Sequence, residues 1–483
     1  MPQYKMYIDG KWTGSKKTFS SLNPATEKVI GHFSSANEKD VEMAVNAAEY
    51  AQKKWAEVPA PKKGEILLII AQLLRQNKER LARIETTEMG KVLKEARGDV
   101  QEAIDITEYM AGEGRRLFGH TTPSELRNKF AMTIRIPVGV VGLITPWNFP
   151  IAIPAWKIMP ALICGNSILF KPSSDTPLCA IELVKIIEQS GVPKGVVNLL
   201  TGPADPVGTT IVKHEKIRAI SFTGNRATGE SILKNAGIKK IGLELGGKNA
   251  IIVMDDAKLD LALEGVIWGA FGTTGQRCTA CSRVILHKKI SDKFTRMLLE
   301  KTKKLRLGNG LNPNVDVGPL VNKAALEKVH TYTEVGLDEE AKLLCGGKRH
   351  GKKGFFYEPT IFKNVTKDMR IAQEEIFGPV LSVIEVKNFD EAIDVMNDIE
   401  YGLSSAIYTQ DVNRAFLAIK HIEAGITYIN SSTIGAESHL PFGGVKHSGT
   451  TREAGILGID EFSEVKTVFI DYSGKLQRAT IDE

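Results

Sequence analysis

The sequence predicts an α/β protein with parallel sheets covered by helices on both faces, preceded by an all-helical block. Three observations carry that expectation. From Lys129 to Asn235, short β-branched and apolar runs alternate with segments of helical spacing, the pattern of βα units. A second alternating set follows Gly247 and continues to Asn430. Ahead of both, residues 37–117 read as helices.

Taken in order, Tyr7-Ile8-Asp9-Gly10-Lys11-Trp12 reads as a hairpin, because Asp-Gly supports a two-residue turn. From Asn37, apolar residues recur at Val41, Ala44, Val45, Ala48, Ala51 and Trp55, a helical spacing. A second helix starts near Pro61, where proline suits the first turn, and carries Ile66 to Leu74 on its buried side. A third runs from Val92 to Leu117, and the whole block is expected to pack on a sheet that comes later. Lys129 to Ile144 is strand-like, with β-branched residues in alternation and then a continuous run. Ser167–Phe170, Val196–Leu200 and Ala219–Phe222 are expected strands. Pro177–Ser190, ended by Gly191, and Ala227–Asn235 are expected helices. The composition breaks at Gly246-Gly247, the expected domain boundary. Beyond it come Ala250–Met254, a helix Leu259–Phe271, Ser282–His287 and a helix Ser291–Leu305. After a loop-rich middle follow Val380–Val386, Phe389–Asn397, Ser404–Thr409, Val412–His421 and Gly425–Asn430. Glu464–Asp471 is a late alternating strand. Neither it nor Lys129–Ile136 has an evident neighbour in sequence, and an unpaired edge invites pairing with another chain.

The length of 483 residues suggests two to three domains, and 42% hydrophobic with 25% charged residues is the composition of a soluble globular protein. A net charge of +6 is mild over this length, and no basic block interleaves with aromatics, so nucleic acid is not an expected partner. Met1 to Gly10 has no apolar core of signal-peptide length. The most apolar region, Ile134 to Phe170, is broken by Lys157 and by prolines at 137, 146, 150, 154 and 160. A membrane span needs about 20 uninterrupted apolar residues, so no membrane association is expected. Five cysteines, at 164, 179, 278, 281 and 345, form no disulfide framework, and a reducing cytoplasm is the expected compartment. Cys278 and Cys281 form a C-x-x-C without the second pair that zinc needs, so no metal is expected and Cys281 reads as structural.

The chemistry centres on Cys278 in Gly275-Gln276-Arg277-Cys278-Thr279-Ala280 and Glu244 in Glu244-Leu245-Gly246-Gly247-Lys248. A cysteine nucleophile and a carboxylate base are the two parts that covalent catalysis on a carbonyl needs. Taken alone, an inert buried cysteine and a surface glutamate are the plainer reading, since free cysteine is among the most buried residue types. Further stretches reverse that: Thr145-Pro146-Trp147-Asn148-Phe149-Pro150, Phe222-Thr223-Gly224-Asn225, Glu374-Glu375-Ile376-Phe377-Gly378-Pro379 and Pro441-Phe442-Gly443-Gly444. Together and in this order they resemble the aldehyde dehydrogenase superfamily, from Asn23-Pro24 to the last strand.

The resemblance implies a variant Rossmann dinucleotide-binding domain at 1–116 and 138–246 and an α/β catalytic domain at 247–460. A small β oligomerisation arm at 117–137 and 461–483 completes it, giving a homodimer or a homotetramer. It implies oxidation of an aldehyde through a Cys278 thiohemiacetal and a thioester hydrolysed by water that Glu244 activates. A free thiol has a pKa of about 8.5, so the site must help ionise Cys278. Glutamate near its usual pKa of about 4.3 is too weak a base, so burial beside Gly246-Gly247 would have to raise it. Asn148 resembles the side-chain donor to the oxyanion, with the Cys278 backbone N–H as the second. Its other reading is a turn residue bonding its own backbone.

For the cofactor, Gly224-x-x-x-x-Gly229 resembles the family's strand–glycine–helix turn, although it is not G-x-G-x-x-G. Pro146 and Trp147 fall beside it in the implied site, Glu375 would hold the nicotinamide ribose, and Phe377 would pack nearby. Lys171 resembles the lysine that contacts the adenine ribose. Ser174 stands where many NAD-preferring members carry a glutamate, which removes a charge that would repel a 2′-phosphate. NADP is therefore the expected cofactor, with NAD still open. Phe149, Trp156 and Phe442 line up with positions around the substrate tunnel. Arg277 is either an anchor for a substrate carboxylate or a member of a structural ion pair. Ile134–Pro150 and Pro441–Arg452 look closest to the branch that oxidises α-ketoglutaric semialdehyde (2,5-dioxopentanoate), with glyceraldehyde and lactaldehyde oxidisers almost as near. Two other readings stand beside these. A CoA-acylating enzyme has no use for Glu244, and a non-catalytic protein on the same fold would predict loss of Cys278, Glu244 or Asn148.

Overall fold

Two seven-stranded sheets hold the chain, and every strand of the first precedes every strand of the second in sequence. The computed structural model describes residues 1–481, so 482–483 of the expected arm lie outside the described residues. In the first sheet the order is Lys240–Glu244, Ile217–Thr223, Val140–Ile144, Ser167–Lys171 and Val197–Leu199, all parallel. The hairpin Met6–Ile8 and Lys11–Thr13 closes it antiparallel. Asp9 and Gly10 both have positive φ (51° and 71°), which the two-residue turn requires. The central strands are apolar on both faces because helices cover both faces.

The second sheet runs Lys342–Cys345, Thr360–Lys363, Val380–Val386, Arg283–His287, Ala250–Val253, Ser404–Tyr408 and Ile426–Ile429. Only its first pair is antiparallel. Strands Lys342–Cys345 and Thr360–Lys363, and the helix Lys323–Asp338 capped by Asn322, lie in what reads from sequence as a loop-rich stretch. Their short apolar runs carry little periodic signal.

The helical block comprises Glu38–Glu57, Ala60–Glu88 and Leu93–Glu113. The first buries the six predicted residues and is capped by Asn37, whose side chain accepts from Lys39 and Asp40 while Asp40 accepts from the Asn37 N–H. In the second, Leu67, Ile70 and Leu74 are buried but Leu68 and Ile69 face outward, since a helix cannot turn consecutive residues to one side. The third ends before Gly114, short of Leu117. The proline-broken region contains a helix the sequence did not announce, Ala152–Ile163, buried along almost its whole length. Burial outweighs the propensity cost of Pro154 and Pro160.

The run Lys129–Ile144 is not one strand. It divides at Gly139, whose φ of +127° turns the chain. Val140–Ile144 enters the first sheet, while Lys129–Pro137 is the centre of a separate sheet between Thr121–Pro123 and Ser463–Asp471. The two strands expected to be unpaired thus pair with each other, in register from Ser463 opposite Pro137 to Asp471 opposite Lys129. Among the described residues nothing pairs with the outer edge of Ser463–Asp471, and Val465 and Phe469 are exposed. Among the described residues no helix is long and apolar enough to cross a membrane.

Replacing the first helix's cap, Asn37→Ala, is expected to lower the free energy of unfolding by about 1 kcal/mol. Urea denaturation followed by circular dichroism measures it, and an unchanged midpoint would show that the cap contributes nothing.

Candidate active site

Four parallel strands of the first sheet end along one edge, and nearly every residue singled out in the first half of the sequence sits at one of those ends. Val140–Ile144 leads into Pro146, Trp147 and Asn148, and Ser167–Lys171 ends on Lys171. Ile217–Thr223 leads into Gly224, and Lys240–Glu244 ends on Glu244. Along this edge opens a cavity of about 750 Å³ lined by Pro146, Trp147, Asn148, Lys171, Ser174, Gly224, Cys278, Glu375 and Phe377, among others. The carboxyl edge of a parallel sheet is where α/β proteins bind ligands.

Cys278 follows a tight turn in which Thr273, Thr274 and Gly275 all have positive φ (51°, 59° and 69°). Left-handed backbone costs a residue with a Cβ roughly 1–2 kcal/mol, so the turn must be held from outside. Gln276 contributes: its side chain donates to the Thr273 and Pro319 carbonyls and accepts from the Val321 N–H at 2.9 Å. Asn249 donates to the Cys278 carbonyl at 2.7 Å. Gly247 is required for closeness, since a Cβ there would stand 2.5 Å from that same carbonyl oxygen. Asn148 is buried, donates its side-chain N–H to the Gln276 carbonyl at 3.2 Å, and leaves Oδ1 without a partner. Its amide is therefore directed at the cysteine loop and not at its own turn. A hydrogen bond from the Thr279 N–H favours the thiolate, but it is outweighed. Burial, then the charges of Glu244 and Glu375, push Cys278 up to about 12.

Glu244 is 2% exposed, and neither carboxylate oxygen has a hydrogen-bond partner among the described residues. Burial, reinforced by Glu453 and opposed by Lys157, holds its pKa well above the usual carboxylate range, the direction the role of base requires. Lys157, wholly buried, forms an ion pair with Glu453 and donates to Ser221 Oγ at 2.8 Å. Glu461, pushed up to about 7 mainly by burial, completes this set. Sequence reasoning did not select Lys157, Glu453 or Glu461. Lys157 carried a signal, as a charge in the middle of the long apolar stretch.

Glu374 and Glu375 divide their roles cleanly. Glu374 is held by Arg370 and Tyr332 at 2.8 and 2.7 Å. Glu375 accepts the Gly247 N–H at 2.9 Å and lines the cavity. Phe377 meets Trp147 edge to face, ring centroids 5.5 Å apart. Lys171 is 5% exposed and pushed down to about 8 by burial; it donates only to the Pro172 carbonyl. Ser174 Oγ donates to the Gly202 carbonyl at 2.8 Å. Gly229 does not reach the cavity: it packs under Leu245, whose side chain a Cβ would meet at 2.7 Å. The helix that Gly224 introduces, Arg226–Asn235, is capped by Asn225 and presents Thr228 to the cavity.

The four residues expected around the substrate do not line this cavity. Trp156 is 5% exposed and stacks edge to face on Phe442 at 5.0 Å. Phe149 lies beneath Lys91 and Arg277. Arg277 has partners of its own: it donates to Thr273 Oγ1 at 2.8 Å, stands 3.8 Å from Glu95, and stacks on Phe149 and Trp268. Of its two readings the structure displays the ion pair.

The sequence profile of the aldehyde dehydrogenase family matches residues 12–468. The α-ketoglutaric semialdehyde dehydrogenase of Bacillus subtilis (strain 168) is 41% identical over 477 residues, covering 97% of this chain and 98% of the relative. The 2,5-dioxopentanoate dehydrogenase of Saccharolobus solfataricus is 42% identical over 477 residues, 97% of this chain and 99% of the relative. Among solved structures, betaine aldehyde dehydrogenase from Staphylococcus aureus in complex with NAD+ superimposes with a TM-score of 0.96 at 36% identity, covering 98% of this chain and 96% of that one. Likeness of this extent, in sequence and in fold, places the chain in the aldehyde dehydrogenase family as an aldehyde-oxidising oxidoreductase.

Proposed function

We propose that the protein oxidises 2,5-dioxopentanoate to the dicarboxylate, with Cys278 as nucleophile, Asn148 as oxyanion donor, Glu244 as base and NADP as preferred acceptor. The observation that carries the catalytic part is the meeting of Cys278 and Asn148 on one cavity wall, with a buried, unpaired Glu244 close enough to raise the thiol. The substrate rests on the two semialdehyde dehydrogenases to which the chain is similar along nearly its full length. We assign residues 1–116 and 138–246 to the dinucleotide, 247–460 to the chemistry, and 117–137 with the chain beyond 460 to assembly.

The cavity fits a dinucleotide on this chain's own terms. Lys171 is a buried cation with one neutral acceptor, leaving donors for a ribose or a phosphate, and Glu375 offers a carboxylate for ribose hydroxyls. The opening turn of Arg226–Asn235 offers N–H groups to a diphosphate. Ser174 and Lys213 line the same cavity, so a 2′-phosphate would meet a hydroxyl and a cation. Bound there, the dinucleotide supplies the hydride acceptor.

With its thiol pushed up to about 12, Cys278 needs a base, and Glu244 is the carboxylate beside it. The sulfur adds to the aldehyde carbon while the Asn148 side chain and the Cys278 N–H hold the developing oxyanion. Once hydride has left that carbon, the thioester remains. Having released the thiol's proton to solvent, Glu244 takes a proton from water, the oxygen attacks the carbonyl, and the Cys278 thiolate leaves.

Initial rates with both dinucleotides over α-ketoglutaric semialdehyde, succinic semialdehyde, glyceraldehyde, lactaldehyde and a plain alkanal test substrate and cofactor together. The highest kcat/KM is expected with the keto-acid semialdehyde and NADP, lost in Cys278→Ala, and Ser174→Glu should shift preference toward NAD by about tenfold or more. Equal rates with plain alkanals and a clear NAD preference would reject both assignments. Because the Glu244 pKa is raised, its base form is lost as pH falls through that raised value. Deacylation should therefore slow as pH falls from neutrality toward the ordinary carboxylate range, and Glu244→Gln should lower it roughly 10²–10⁴-fold at neutral pH. A rate flat over that range removes Glu244 from the role. For assembly, the open edge of Ser463–Asp471 is the proposed contact with a second copy. Truncation after Glu461 should leave a monomer or insoluble protein, and a soluble oligomer of unchanged size, seen by light scattering, would sink it.

A further inference from the structure

We propose that Glu95, on the first turn of Leu93–Glu113, is a positioning residue that holds the left-handed turn in front of Cys278 and sets the reactivity of that thiol. The inference rests on Cys278 as the nucleophile and on neither the substrate nor the cofactor. Glu95 lies 178 residues from the turn in sequence, yet it takes both donors of its first residue. Its two carboxylate oxygens accept the Thr273 N–H at 2.9 and 3.0 Å, and Oε2 also accepts the Thr273 hydroxyl at 3.1 Å. The same hydroxyl accepts from Arg277 Nε at 2.8 Å, and the guanidinium reaches Glu95 at 3.8 Å. A closed ring of Glu95, Thr273 and Arg277 therefore spans the turn from its first residue to the one preceding Cys278. The ring is buried, with the Glu95 side chain 3% and the Arg277 side chain 10% exposed.

Two features make this more than local support. Thr273 and Thr274 occupy backbone that side chains with a Cβ avoid, and such geometry persists only where the surroundings over-determine it. The ring also reaches the oxyanion donor: Arg277 stacks on Phe149, the residue after Asn148. A second cation on Phe149, Lys91, comes from the residues just ahead of the same helix. Lys91 lies 3.8 Å from the ring centroid and pairs with Glu85 and Asp99, and Asp99 accepts the Ala152 N–H at 2.6 Å. Residues 91–99 thus hold the cysteine turn through Glu95 and the asparagine segment through Lys91 and Asp99. The spacing of nucleophile and proposed oxyanion donor is supported from outside both loops, in addition to the direct Asn148–Gln276 hydrogen bond.

The test compares Glu95→Gln, Thr273→Ala and the double variant in the intact protein, with iodoacetamide alkylation of Cys278 followed by peptide mass against pH, alongside kcat and dinucleotide KM. Each single variant should slow alkylation and kcat by about tenfold or more while dinucleotide KM stays within about twofold. The double variant should be no slower than the worse single one, because both changes break one ring. Unchanged alkylation in Thr273→Ala, additive losses in the double variant, or a dinucleotide KM that rises in step with the fall in kcat would overturn the proposal. Should Glu95→Gln not fold, Thr273→Ala alone decides by the same readouts. Alkylation needs neither aldehyde nor dinucleotide, so a wrong substrate assignment leaves this result intact.

Discussion

A strand in a parallel sheet leaves at its carboxyl end, and four strands of the first sheet leave side by side. That constraint brings Asn148, Lys171, Gly224 and Glu244, scattered over a hundred residues, to a single edge. The second sheet meets this edge from the opposite sense. Cys278 comes just before Arg283–His287 and Glu375 just before Val380–Val386, so both arrive at the amino ends of their strands. The cavity is the seam between one sheet's carboxyl edge and the other's amino edge. Each sheet alone brings half of the proposed site.

The seam is costly to maintain. A carboxylate with no hydrogen bond is buried at Glu244, a lysine–glutamate pair is buried beside it, and two threonines are held in left-handed backbone. These features constrain one another. The charges of Glu244 and Glu375 raise the Cys278 thiol, while Glu453 and Lys157 act in opposite directions on Glu244. The helical block supplies the counterweight: its 91–99 segment anchors the cysteine turn and the Asn148 segment from behind.

Much of this was legible along the chain. The period-3.6 face of Glu38–Glu57 identified all six of its buried residues, and the Asp-Gly dipeptide located the first hairpin. Elements with a weaker local signal were not recoverable. Ala152–Ile163 contains two prolines and buries nearly every side, so it shows neither periodicity nor good propensity. Lys129–Ile144 is continuous in β-preference, and only the bend at Gly139 distributes it between two sheets. The Lys157–Glu453 pair joins residues 296 apart, a separation no window along the sequence can span.

The sequence by itself determined which residues are candidates for the proposed chemistry, because thiol, carboxylate and amide are residue types with fixed chemistry in recognisable local motifs. It also determined the alternation of strand and helix, since hydrophobic period is a local property. Tertiary structure alone decided which residues share the cavity, that Gly229 supports a helix and does not touch the cavity, and that Arg277 is bound to Glu95 and Thr273. It decided the protonation of the site as well. Burial and the charges of distant residues set proton affinity, and both exist only once the two sheets have closed on each other.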